Sequence, residues 1–175
     1  AGGGMRAAGA APVEAKFTAQ TIRFAQAGTD SAAAGAGNAT FTAKNIEVGS
    51  GNFGLHFASA TLDASNDIRA AGTKGALMAD GDLRLAAARI TTDTGADAAF
   101  TAGGALTLTH GSGAVGDLAA AELGGALTFK GATITSDANI VASSGTIKLE
   151  SGNGVQVTGG EISTAGAALN YGSAV

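Results

Sequence analysis

A five-residue phrase returns down the middle of the chain and sets the terms for everything else. Gly81-Asp82-Leu83-Arg84-Leu85 is followed by Gly104-Ala105-Leu106-Thr107-Leu108, Gly125-Ala126-Leu127-Thr128-Phe129 and Gly145-Thr146-Ile147-Lys148-Leu149. Their leading apolar residues, Leu83, Leu106, Leu127 and Ile147, stand 23, 21 and 20 positions apart. Self-similarity at that period is the mark of stacked repeats, each too small to bury its own apolar face. Within a copy the apolar residues alternate, as in a half-buried strand.

Other phrases repeat in step. Phe17-Thr18-Ala19-Gln20-Thr21-Ile22-Arg23-Phe24 is echoed 24 residues later by Phe41-Thr42-Ala43-Lys44-Asn45-Ile46-Glu47-Val48. Asn66-Asp67-Ile68-Arg69-Ala70 returns as Ala138-Asn139-Ile140-Val141-Ala142, and Ala88-Arg89-Ile90-Thr91 matches Ala132-Thr133-Ile134-Thr135 and Gly160-Glu161-Ile162-Ser163. Each repeat therefore holds two or three strands of about four residues joined by Gly, Asp, Asn and Ser corners. Such short strands gain stability by pairing with their copies in neighbouring repeats. Phe53 to Phe57 and Ala60 to Ala64 are further short strands, and residues 27 to 38, with Gly28, Gly35 and Gly37, read as a loop.

Composition agrees with this plan. The 175 residues include 29 Gly and one Pro, and much of the 45% apolar content is Ala, which suits narrow interiors. Abundant Gly and Thr, and the lack of a sustained i, i+3, i+4 pattern, count against helices. Parallel crossovers are right-handed in nearly all sheets. The expected fold is all-β: a right-handed parallel β-helix with coils of about 20–24 residues. At about 4.8 Å per rung, seven or eight coils make a rod of roughly 35 Å. A Gly/Ala-rich end spans 1–16, and one solenoid segment spans 17–175, with both ends resembling cuts in a longer chain.

The pleat assigns faces. Leu83/Leu85, Leu106/Leu108, Leu127/Phe129 and Ile147/Leu149 are expected to stack inward as one series, with Arg84, Thr107, Thr128 and Lys148 outward. Ile90, Ile134 and Ile162 form a second inward series.

Charge and chemistry narrow the function. Net charge is −4 and the charged residues are scattered, so no basic patch faces a nucleic-acid backbone. No apolar run reaches the length of a membrane span, and the chain has no Cys, which excludes a disulfide framework. A polysaccharide enzyme of this fold needs clustered carboxylates beside an Arg or Lys, and only Asp80/Asp82 with Arg84, and Asp93/Asp97, come close. Both sit in turn sequences, where Asp and Gly are ordinary. His56, between Leu55 and Phe57, is expected outward, and His110, before Gly111-Ser112-Gly113, in a loop. Gly49-Ser50-Gly51-Asn52-Phe53-Gly54 lacks the Lys and the helix of a phosphate loop. The Thr-x-Thr pairs Thr107/Thr109 and Thr133/Thr135 are too interrupted for an ice-binding array. Tyr171 has no stacking partner in sequence. No catalytic residue, metal site or cofactor is assigned.

Phe41-Thr42-Ala43-Lys44-Asn45-Ile46-Glu47-Val48-Gly49, Ala60-Thr61-Leu62-Asp63-Ala64, Gly81-Asp82-Leu83-Arg84-Leu85 and Thr101 to Thr109 together resemble the repeat region of filamentous haemagglutinin family proteins. These are very large exoproteins exported by two-partner secretion in Gram-negative bacteria, and the resemblance covers residues 40 to 165. It implies a β-helical shaft, an extracellular or cell-surface location, passage through an outer-membrane transporter, and roles in adhesion, aggregation or biofilm. Cell-surface glycans and end-to-end self-association are the partners to expect. The rival expectation is a carbohydrate-binding or polysaccharide-degrading β-helix.

Overall fold

A computed structural model describes residues 5–6, 14–25, 35–113 and 122–166. The expectations for residues 1–4, 7–13, 26–34, 114–121 and 167–175, with Gly28 and Tyr171 among them, lie outside the described residues. The chain is an all-β solenoid of about six turns, and the described residues contain no helix. The expected seven or eight coils exceed the observed number, and between Phe24 and Asn38, and between His110 and Ala126, no described residue lies in a strand.

The strands are β1 (Met5–Arg6), β2 (Glu14–Phe24), β3 (Asn38–Val48), β4 (Gly51–His56), β5 (Ser59–Ala70), β6 (Gly75–Ala79), β7 (Asp82–Thr92) and β8 (Asp97–Ala102). They continue as β9 (Ala105–His110), β10 (Ala126–Gly131), β11 (Thr133–Ser136), β12 (Ile140–Val141), β13 (Thr146–Ser151), β14 (Val155–Val157) and β15 (Ile162–Ser163). All pairings are parallel. One sheet runs β1-β4-β6-β8-β10-β13, and the other β14-β11-β9-β7-β5-β3-β2 with β12 joining β7 and β15.

Strands β3, β5 and β7 are 11 or 12 residues long, not about four. Each carries two expected short strands through a corner. The corner is marked by register shifts between Ala43 and Ile46 and between Ala64 and Asp67. Alternation breaks there: Ala43 and Ile46 are buried while Lys44 is exposed and Asn45 half-buried. The coil thus has three faces: the first halves of the long strands, their second halves, and the short strands β4, β6, β8, β10 and β13.

Columns of like residues fill the interior. Phe41, Leu62, Leu85 and Leu108 stack on the first face, Ile46, Ile68, Ile90 and Ile140 on the second, and Phe53, Leu77, Phe100, Phe129 and Leu149 on the third. Each fully buried Leu, Ile or Phe contributes roughly 1.5–3 kcal/mol. Phe100 and Phe129 lie nearly parallel with centroids 5.5 Å apart. Small residues occupy the corners. Gly81 is needed where it stands, because a Cβ there would overlap the carbonyl oxygen of Ala58 one coil earlier.

Two of the expected series divide between faces. Leu83/Leu85 and Leu106/Leu108 do stack on the first face, but Leu127/Phe129 and Ile147/Leu149 belong to the third, beside Ala98 and Phe100. With them, Arg84 and Thr107 point out from the first face, Thr128 and Lys148 from the third. Ile134 sits over Leu106, not in the Ile90 column, and Ile90 pairs with Ile140. Ile162 follows Ile140 but remains 38% exposed in the last described rung.

The cause is an excursion after His110. The chain leaves β9 on the first face and re-enters at β10 on the third, so this coil gives no strand to the second face among the described residues. Strand β12, of the following coil, hydrogen-bonds directly to β7 across the gap, Ile90 N–H donating to Asn139 O at 2.8 Å.

Candidate functional site

Opposite charges one coil apart build a ladder on the outside of the second face. Parallel register places Arg23, Glu47 and Arg69 in one column and Asp67 with Arg89 in the next. Glu47 lies 3.9 Å from Arg23 Nε and 3.2 Å from Arg69 Nη2, and Arg69 Nε lies 3.1 Å from Asp93 Oδ1. Glu122, on the returning end of the excursion, reaches within 3.7 Å of Arg69. Arg89, 5% exposed, donates from Nε and Nη2 to the two oxygens of Asp67 at 3.0 and 2.7 Å. Such a fork is the strongest form of side-chain ion pair.

Electrostatics follow the crowding. Burial works against the Arg69 cation, but Asp93, Glu47 and Glu122 together outweigh it and raise its pKa. Burial, and then the Asp93 carboxylate, push the Glu122 carboxyl above its ordinary range against the pull of Arg69 and Arg89. On the third face Lys130, at 2.7 Å, and Lys148 both hold Glu150 and lower its pKa to about 2.

The residues singled out in the sequence do not converge. Asp82 Oδ1 accepts from Ala105 N–H at 2.8 Å, capping a corner, and Arg84 is exposed on the first face. Asp93 belongs to the ladder, while Asp97 opens β8. His110 is exposed, its Nδ1 3.2 Å from Asn139 Nδ2. His56 is the correction: it is buried, 7% exposed, with Nδ1 2.6 Å from Asp80 Oδ2. It ends β4, where Gly54, Leu55, His56 and Phe57 are buried in succession and alternation no longer applies. Asp80 is thus a corner residue that also holds a histidine of the preceding coil. Thr40 and Thr61 are in register, as are Thr107 and Thr135, but Arg84 separates the two pairs.

Reading charges at one-coil spacing would have found the ladder. Glu47/Arg69 and Asp67/Arg89 are each 22 residues apart, and His56/Asp80 are 24 apart. Among the described residues no group of three or more His, Asp or Glu side chains could hold a metal ion. No helix among them is long and apolar enough to cross a membrane.

The described surface has several recesses, two of them beside the residues already named. One, of about 520 Å³, is apolar and lined by Phe17, Phe24, Phe41 and Phe53; Phe17 stacks on Phe41 at 4.8 Å. It is the end of the interior columns at β2. The other, of about 420 Å³, has a mixed polar and apolar lining and runs along the corner between the first and second faces. No family model matches the chain and neither a curated protein nor a solved structure is similar to it, so the chain is placed by its fold, a parallel β-solenoid of about six turns.

Proposed function

We propose that the chain is a structural and adhesive shaft segment of a large secreted or cell-surface filamentous exoprotein of the filamentous haemagglutinin type, from a Gram-negative bacterium. The observation that carries this reading is the way charge is used. Ion pairs join neighbouring coils in Arg89–Asp67, Arg69–Glu47 and Lys130–Glu150, a His56–Asp80 hydrogen bond does the same, and these contacts hold the stack together. Together with apolar columns that run through successive coils, this is how a scaffold that extends and presents surface is built. The resemblance in sequence adds export through an outer-membrane transporter, attachment to cell-surface glycans, aggregation and end-to-end association of coils.

The rival is a polysaccharide-degrading β-helix. Beads carrying the purified chain are expected to aggregate or to attach to glycan-bearing surfaces, and incubation with polygalacturonate to yield no unsaturated ends. Lyase product without attachment replaces the shaft by the enzyme.

A further inference from the structure

Among the described residues, the corner groove is lined by polar side chains that no other group engages. Gln20, Lys44, Ser65 and Ser112 face it with Thr42 and Asp63, and among the described residues their side chains make no hydrogen bond or ion pair. That sets them apart from the ladder a few residues away, where each charge meets an opposite charge one coil on. Lys44 follows β3's inward Ala43, and Asp63 is in register with Thr42, so cation and anion come from adjacent rungs without pairing. The floor is backbone, since the Ala43 and Ala64 methyl groups turn into the core.

One end of the groove is walled. There Gly111 to Gly113, leaving β9, pack against the backbone of Ala87 and Ser65 so closely that a Cβ on Gly113 would overlap the Ser65 carbonyl oxygen. This contact places Ser112 at the groove's end, while Ala86, which continues the Thr42–Asp63 column, is buried. At about 420 Å³ the recess has the capacity of a small-ligand site.

We propose that this groove binds an uncharged oligosaccharide lying along the solenoid axis. It rests on the adhesive part of the reading above and gives it a location. Three features select the ligand. Gln20 and the Thr and Ser hydroxyls each donate and accept, Lys44 donates and Asp63 accepts, which matches a chain of hydroxyls that do both. Lys44 and Asp63 cancel in charge, so a polyanion gains no attraction and meets the Asp63 carboxylate. A peptide bound as an added strand needs an open sheet edge, whereas here β2, β3 and β5 are hydrogen-bonded to one another across the groove. Recognition is left to side chains.

The test is amide NMR on the whole chain, titrated with maltotriose, cellotriose and mannotriose, and with a sulfated heparin trisaccharide and an extended Ser/Thr peptide as contrasts. At least one neutral trisaccharide is expected to shift the amides of residues 42–44, 63–65 and 112. Lys44→Ala with Asp63→Ala should weaken it about tenfold or more, with unchanged circular dichroism because both side chains are exposed. Thr133→Ala, on the same face but outside the groove, should leave binding as it is. Neutral sugar bound with shifts elsewhere, or insensitive to the double variant, overturns the groove and leaves adhesion standing. Binding of only the sulfated sugar or the peptide overturns the ligand class. No binding of any probe, with beads that still attach to cells, overturns the groove alone; with beads that do not attach, both readings fall.

Discussion

Arg89 grips the carboxylate of Asp67, one coil earlier, with two parallel hydrogen bonds, and does so on the outward side of a strand where it is almost wholly buried. Removing one partner leaves the other's charge buried and unpaired. Arg89→Ala should therefore cost about 3–5 kcal/mol, and Asp67→Ala with Arg89→Ala less than the sum of the single changes. Urea denaturation of the four proteins in the cycle measures this.

Leu127 is fully buried between Ala98 and Ile147 on the third face, while its neighbour Thr128 faces outward. Leu127→Asp should cost about 4 kcal/mol or more, since a charge would enter an apolar stack. Thr128→Asp should cost far less. Equal melting curves for the parent and Leu127→Asp would disprove the inward assignment.

Ser136 interrupts the first-face column that holds Phe41, Leu62, Leu85 and Leu108. It is fully buried, and its Oγ meets no hydrogen-bonding partner. A buried unsatisfied hydroxyl is destabilising, so Ser136→Ala should raise the unfolding free energy by about 1 kcal/mol. A fall of that size in chemical denaturation would mean that the hydroxyl is bonded in solution.

Stability should respond to acid with two opposite slopes. Glu122 has a raised pKa in the fold, so its favourable contribution is complete below its ordinary 4.5 and is lost as pH rises through the raised value. Glu150 is lowered to about 2, so its contribution is present above 4.5 and is lost as pH falls toward 2. Glu122→Gln should flatten the loss on the neutral side, and Glu150→Gln the loss on the acid side. The second effect should shrink in high salt, because Glu150 and its lysines are exposed to solvent. Urea titrations from acid to neutral pH, at two salt concentrations, separate them.

The period and the parallel stacking were legible because the same apolar letters recur wherever a column passes. Phe17 over Phe41 and Ile68 in line with Ile140 were both visible as repeated phrases. Which face a phrase occupies was not legible. A glycine followed by two alternating apolar residues describes a first-face strand and a third-face strand equally well. After His110 no described residue adds a strand to the second face, so the next such phrase arrives on schedule but one face out of place, and the spacing alone puts Leu127 with Leu106 and Ile134 with Ile90. His56 is buried where alternation points it outward, because alternation holds within strands and fails at corners. The groove was missed for a related reason: Lys44 and Asp63 are adjacent only after one coil is laid on the next.

The omitted strand also has a mechanical meaning. From β7 to β12 the second face advances by one rung, while from β7 to β11 and from β8 to β13 the other faces advance by two. One side is shorter by a strand spacing, about 4.8 Å, so the planes of the flanking coils converge toward it like the stones of an arch. Should such omissions recur at intervals along a longer fibre, each would add its own angle, and the fibre would grow as an arc or a wound coil instead of a straight needle.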